Sequence, residues 1–109
     1  MKVIITGGRD FNDYYFLKDR CDRILSHYPS SFVSVTTRNQ EGTGKSAGVD
    51  VLAKYYAEEM NMDFSTSQSA IAHSVTIIAF WDGHSKGTKD IIKESLKHGL
   101  EVHVFKYRS

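Results

Sequence analysis

Three short stretches carry side chains and glycines at spacings suited to holding an anion. The first, Trp81-Asp82-Gly83-His84-Ser85-Lys86-Gly87-Thr88, follows the most apolar run of the chain and leads into a helical pattern. Gly83 and Gly87 relax the backbone, Ser85 and Thr88 offer hydroxyls, and Lys86 offers a charge. A helix beginning near Thr88 adds unpaired N–H groups, a combination that favours a phosphate, although the same residue types also cap helices that bind nothing. The second stretch is Thr6-Gly7-Gly8-Arg9-Asp10, where adjacent glycines imply tight or positive-φ backbone. The third is Gly44-Lys45-Ser46, with Gly48 and Asp50 just beyond it. Asp10 and Asp82 sit where strands are expected to end. Carboxylates so placed bind ribose hydroxyls, hold a metal, act as acid or base, or cap a neighbouring turn, so these two are the candidates for any catalysis. Trp81 can stack a base or close a buried strand as core, and His84 can contact phosphate.

The lysine loop nearly fits a P-loop, G-x-x-x-x-G-K-[ST], but its first position is Asn39 rather than glycine. It also follows the second strand of a chain that is short for an NTPase core. That reading is set aside. His27, His73, His98 and His103 lack metal-ligand spacing, and no metal is expected.

The elements that must position these residues alternate strand and helix. Lys2–Thr6 reads as the first strand. From an N-cap at Asn12 or Asp13, the apolar positions Leu17, Cys21, Ile24, Leu25 and Tyr28 recur at helical spacing, with Pro29-Ser30-Ser31 as the stop. Phe32–Thr37 is the expected second strand. A second helix from about Ala47 carries the stripe Val49, Leu52, Ala53, Tyr56, Ala57 and Met60, with Asp50 in a first turn that favours negative charge. Met62–Ser65 is expected as a short strand and Gln68–His73 as one helical turn. Val75–Trp81, apolar without alternation, reads as a strand covered on both faces. Thr88–His98 is the last helix, with Ile91, Ile92, Ser95 and Leu96 inward and Gly99 as its stop; Glu101–Phe105 is the closing strand.

This alternation argues for a single α/β domain over residues 1–109, a Rossmann-like three-layer sandwich with a parallel five-stranded sheet. Burial suggests the order 3-2-1-4-5, since the first strand and the Val75 strand look covered on both sides and the Met62 and Val102 strands look like edges. The loops after the two central strands then diverge to opposite faces, which is where ligands bind in open α/β sheets. Arg9, Lys45, Lys86 and Lys89 would converge there.

Composition narrows the function classes. The 109 residues are 40% hydrophobic and 25% charged, ordinary for one globular domain, and no apolar run is long enough to span a bilayer. Met1-Lys2 running straight into V-I-I-T does not read as a signal peptide, so the cytoplasm is the expected location. The single cysteine, Cys21, excludes an internal disulfide and lies on a core stripe. A net charge of +1 gives no general pull toward nucleic acid. Tyr14, Tyr15 and Tyr55 look like more exposed aromatics than a monomer needs.

T-G-G-R-D-F after the first strand, G-K-S-A-G-V-D-x-L-A at the second helix and F-W-D-G-x-S-K-G-T before the last helix together resemble the SLOG superfamily. Within it, the chain is most similar to the small bacterial and phage YspA-like proteins. The superfamily also includes cytokinin-activating LOG phosphoribohydrolases, the DNA-processing protein DprA and nucleotide-sensing domains of phage-defence systems. The resemblance covers most of the chain in order. It implies a Rossmann-like domain, often oligomeric, that binds a nucleotide or ADP-ribose-like ligand in the crevice already reached from topology. Three departures qualify it. The glutamate of the LOG G-T-x-x-E motif falls on Ile91, with Asp90 one residue away on another side of the helix, so hydrolysis by that route is not implied. Asp63–Ser74 has no room for the longer pocket-closing segment of YspA-like members. Lys45 replaces one glycine of the pair usual before the second helix.

The leading expectation is a nucleotide- or ribose-phosphate-binding module using Thr6, Gly7, Gly8, Arg9, Asp10, Gly44, Lys45, Ser46, Gly48, Asp50, Trp81, Asp82, Ser85, Lys86, Gly87 and Thr88, self-associating as a homo-oligomer. A nucleotide-processing enzyme with Asp10 or Asp82 as acid or base is the alternative. A DNA-binding or adaptor role comes third.

Overall fold

The computed structural model describes residues 1–37, 48–66 and 74–108. Five strands, β1 (Lys2–Gly7), β2 (Ser34–Thr37), β3 (Asp63–Thr66), β4 (Thr76–Trp81) and β5 (Glu101–Lys106), form one parallel sheet in the order β3-β2-β1-β4-β5. The helices are α1 (Tyr14–Leu25), α2 (Val49–Glu59) and α3 (Lys86–Lys97). This is the Rossmann-like sandwich and the strand order expected from the sequence.

Side-chain alternation assigns the helices to faces. Val3 and Ile5 of β1, Val35 of β2 and Ile78 and Phe80 of β4 form one core with Leu17, Cys21 and Leu25 of α1 and Val49, Ala53, Tyr56 and Ala57 of α2. On the opposite face Ile4 and Ile77 meet Ile91 of α3 together with Leu100 and Val102. The two central strands are therefore covered on both sides, which is why their sequences are continuously apolar. The β3 edge is mostly exposed.

Polar groups tie α1 to α2 over the first core. Glu59 accepts from the Tyr14 hydroxyl at 2.7 Å and from Lys18, while Tyr56 donates to Asp22 at 2.8 Å. Burial pushes the Cys21 thiol up, so it is a core filler rather than a reactive group.

Several local expectations are corrected. Helix α1 ends at Leu25 with Ser26 as C-cap, leaving Tyr28 exposed outside it. Pro29 then opens a 3-10 turn at Ser30–Phe32, so β2 begins only at Ser34 and Phe32 is 67% exposed. Val75 precedes β4 and is exposed. On α3 Ser95 is buried as expected, and Thr88 with it, whereas Leu96, also expected inward, is 60% exposed. Ser95 can occupy the core because its hydroxyl donates to the Ile91 carbonyl at 2.7 Å, leaving no polar atom unpaired. The turn expected at Gln68–His73 lies outside the described residues.

Candidate functional site at the carboxyl end of the sheet

Strands β1 and β4 run side by side to the pair Gly7 and Phe80. Beyond that pair the chain separates. Residues after β1 lead to α1 on one face, and residues after β4 lead to α3 on the other, which opens a crevice between them. Helix α2 starts at the same end, where the Val49 N–H donates to the Gly8 carbonyl at 3.2 Å.

The glycines here are required for close approach. A side chain on Gly7 would strike the Phe80 carbonyl and Val49 Cγ2, the latter at 2.6 Å. Gly48, the N-cap residue of α2, has φ +58° and lies against the backbone of Gly8 and Arg9, with Arg9 Cα only 2.6 Å from where a Cβ would sit. Gly8 is covered by the Tyr107 hydroxyl, which occupies the space a Cβ would need. The Gly8 N–H is itself spent on the Phe80 carbonyl at 3.2 Å, so this glycine turn offers a ligand shape rather than that donor.

The β4–α3 loop is braced from within. Asp82 Oδ1 accepts from the N–H groups of Ser85 at 2.7 Å and His84 at 2.8 Å, and its Oδ2 accepts from the Ser85 hydroxyl at 2.9 Å. Those N–H donors hold the Asp82 carboxyl below the usual carboxylate range. The Trp81 indole N–H donates to the Ser85 carbonyl at 3.0 Å, and the Lys106 ammonium lies 5.6 Å from its ring centroid. Gly83 takes φ +89° to let the loop turn. Asp82, Trp81 and Ser85 thus fix the entry to α3, while Lys86, Gly87, Lys89 and His84 stay exposed and Thr88, in the first turn of α3, is buried.

Two carboxylates differ in character. Asp50, in the first turn of α2 and half-buried, is pushed up to about 6 by burial, against the pull of the Arg9 guanidinium. Asp10 is exposed, and its Oδ1 accepts from the Tyr107 hydroxyl at 2.7 Å.

No protein-family model, no curated protein and no solved structure matches this chain. The structure gathers Gly7, Gly8, Arg9, Asp10, Gly48 and Asp50 around the end of β1, and Trp81 through Thr88 around the end of β4. Thr6 is buried within β1. Gly44, Lys45 and Ser46 lie outside the described residues.

Tyr107 is the member that sequence reading missed. Its N–H donates to the Trp81 carbonyl at 3.1 Å, extending the β4–β5 pairing, and its ring meets Phe11 edge-on at 4.8 Å. A signal existed. All strands of a parallel sheet end on the same side, so an aromatic residue just past the last strand had to lie near the glycine turn. A pocket of about 260 Å³ opens beside that turn, between residues 10–13, Phe16 and residues 106–108. Among the described residues no three His, Cys, Asp or Glu side chains are grouped to hold a metal, and no helix is long and apolar enough to cross a membrane.

Proposed function

We propose that this chain is a nucleotide- or ribose-phosphate-binding module of the SLOG type, holding its ligand at the carboxyl end of the sheet. The observation that carries this reading is the divergence of the loops after β1 and β4 onto opposite faces, with the starts of α2 and α3 brought to the same crevice. The first intrahelical bond of α3 is Lys89 N–H to the Ser85 carbonyl, so the N–H groups of Lys86, Gly87 and Thr88 lie ahead of it. Lys86 and Lys89 are exposed cations in the first turn of α3, and Arg9 is an exposed cation beside Asp50 at the start of α2. Phosphate would sit at the start of α3, and Asp10 would take a sugar hydroxyl.

The test is thermal unfolding against nucleoside phosphates, ADP-ribose, NAD and cyclic nucleotides, since a ligand that prefers the native state raises the midpoint. Lys86→Ala should remove the shift while leaving the unligated stability within about 0.5 kcal/mol, as for other exposed substitutions. No shift with any compound, or an undiminished shift in Lys86→Ala, overturns the reading.

A nucleotide-processing enzyme is the second reading, and one observation favours it. The carboxyl of Asp50 is displaced to about 6, close to the working range of a general acid or base, whereas Asp82 is engaged in bracing its loop. Base or sugar phosphate released from a nucleotide, lost in Asp50→Asn and retained in Asp82→Asn, would establish it; ligands bound but unchanged would dismiss it. We further propose a cytoplasmic homo-oligomer. Tyr15 and Tyr55 are 83% and 55% exposed and are available for self-association, whereas Tyr14 is engaged with Glu59.

A further inference from the structure

We propose that the pocket between residues 10–13 and residues 106–108 receives the planar base of a nucleoside-type ligand, with the Tyr107–Asp10 hydrogen bond walling it off from the phosphate end. The ligand class is taken from the reading of the crevice as a nucleotide site; what is added is where its ring goes.

Size comes first. At about 260 Å³ the pocket falls just below the roughly 300–1,000 Å³ of sites that enclose drug-sized ligands, which suits one ring system rather than a whole dinucleotide. Its lining combines the aromatic Phe11, Phe16 and Tyr107 with the polar Asp10, Asn12, Asp13, Lys106 and Arg108. The polar members' hydrogen-bonding inventory is specific. Asp10 uses Oδ1 for the Tyr107 hydroxyl, and Asp13 uses Oδ1 for the Phe16 N–H at 3.1 Å. Each keeps an oxygen with no partner among the described residues, and the Asn12 amide is exposed beside them. The spare Asp13 oxygen asks for an N–H donor, as on the amino groups of adenine, guanine or cytosine, while that of Asp10 is left to the sugar hydroxyl. Arg108, also in the lining, brings a planar cation suited to stacking on a ring.

The obvious rival is Trp81, but its indole N–H is bonded to the Ser85 carbonyl and Lys106 lies over its ring. Stacking a base there would displace a cation already in place. In the pocket Arg20 lies over Phe16 at 4.5 Å, while among the described residues no cation is placed over Phe11 or Tyr107, and the pocket shares Asp10 with the turn that leads to the crevice.

The experiment uses the full chain and phosphate-free probes. Adenosine, guanosine and cytidine are titrated by thermal unfolding and calorimetry alongside ribose 5-phosphate and the matching monophosphates. Two variants report on the pocket. Asp13→Ser keeps an N-cap acceptor for Phe16 while removing the carboxylate, and Asn12→Trp fills the opening from an exposed position. At least one nucleoside should bind, weaken about tenfold in Asp13→Ser and be lost in Asn12→Trp, with ribose 5-phosphate unaffected by either. If monophosphates and ribose 5-phosphate bind alike and neither variant changes them, the pocket inference fails and the crevice reading stands. If nucleosides bind through the pocket while Lys86→Ala leaves nucleotide affinity unchanged, the crevice reading fails and the pocket stands. Binding of none of the probes refutes both.

Discussion

A methyl group at Gly8 tests whether this glycine exists for a ligand or for Tyr107. The Cβ of Gly8→Ala would fall far inside contact distance of the Tyr107 hydroxyl and 2.9 Å from Asp10 Oδ1, both of them ends of movable side chains. Relief therefore means swinging Tyr107 away. That loses its hydrogen bond to Asp10, worth about 1 kcal/mol at an exposed carboxylate, and its edge-on contact with Phe11, worth about 0.5–1.5 kcal/mol. Gly8→Ala should cost about 2 kcal/mol. Tyr107→Phe alone forfeits only the hydrogen bond, about 1 kcal/mol. In that background the nearest ring atom stands 3.1 Å from the new methyl, tight but tolerable, so adding Gly8→Ala should cost little more. The double variant should therefore be about 2 kcal/mol more stable than the sum of the single losses predicts. Urea midpoints of the four proteins measure this coupling. Additivity within about 0.5 kcal/mol would mean that Tyr107 does not lie on Gly8 in solution, and the wall of the proposed pocket would go with it.

Gly48→Ala should behave differently, because its obstacles are the backbone of Gly8 and Arg9 and a φ of +58°; we expect a loss of about 3 kcal/mol or more with no rescue by Tyr107→Phe. Asp50 should make stability fall as pH rises from about 4 to 6, since the native state keeps a proton there that the unfolded chain has released. The displacement from 3.8 to about 6 sets an upper bound of about 3 kcal/mol at about 1.4 kcal/mol per pH unit; Asp50→Asn should flatten that slope and add about 1–2 kcal/mol at pH 7, and an unchanged slope in denaturant titrations would count against its burial. Asp82 has the opposite sign: its bracing of the loop is present above the ordinary carboxylate value of 3.8 and is lost as pH falls through its lowered native value. Asp82→Ala at pH 7 should speed hydrogen exchange at the His84 and Ser85 amides, and unaltered exchange there would dismiss the bracing role.

The strand order was legible because burial on two faces writes a different sequence from burial on one. V-I-I-T and T-I-I-A-F-W lack alternation, so they had to be central, and the two remaining edges followed. Helix stripes were legible for α1 and α2, where Leu17, Cys21, Val49, Ala53 and Tyr56 all pack inward. On α3 they misled at Leu96, which is 60% exposed, whereas Ser95, expected inward, is buried with its hydroxyl donating to the Ile91 carbonyl. The site divides in the same way. Loop positions follow from chain order and strand direction, so Gly8, Arg9 and the Trp81–Thr88 run could be placed together. Strand direction could have brought Tyr107 to the glycine turn, but no local pattern reports its hydrogen bond to Asp10 across 97 residues. The displaced carboxyl of Asp50 was equally hidden, since the sequence shows an acid in a first helical turn and not what buries it.

A paired glycine after the first strand of such a sheet invites the inference that its N–H groups cradle a phosphate, and the geometry argues otherwise at Gly8. Its N–H is engaged by Phe80, its carbonyl by Val49, and its open side by Tyr107. A ligand that needed that N–H would have to break the hydrogen bond that ties the end of β1 to β4, the two central strands of the fold. Replacing that bond is far less favourable than using donors that have no partner to lose, and the start of α3 supplies those. On the proposed nucleotide-binding reading, phosphate would therefore sit on the Lys86 side of the crevice, while the glycine turn lets Val49, Phe80 and Tyr107 approach closely. The consequence is directional: side-chain changes at Lys86 should alter affinity with little change in stability, and changes at Gly8 should alter stability first.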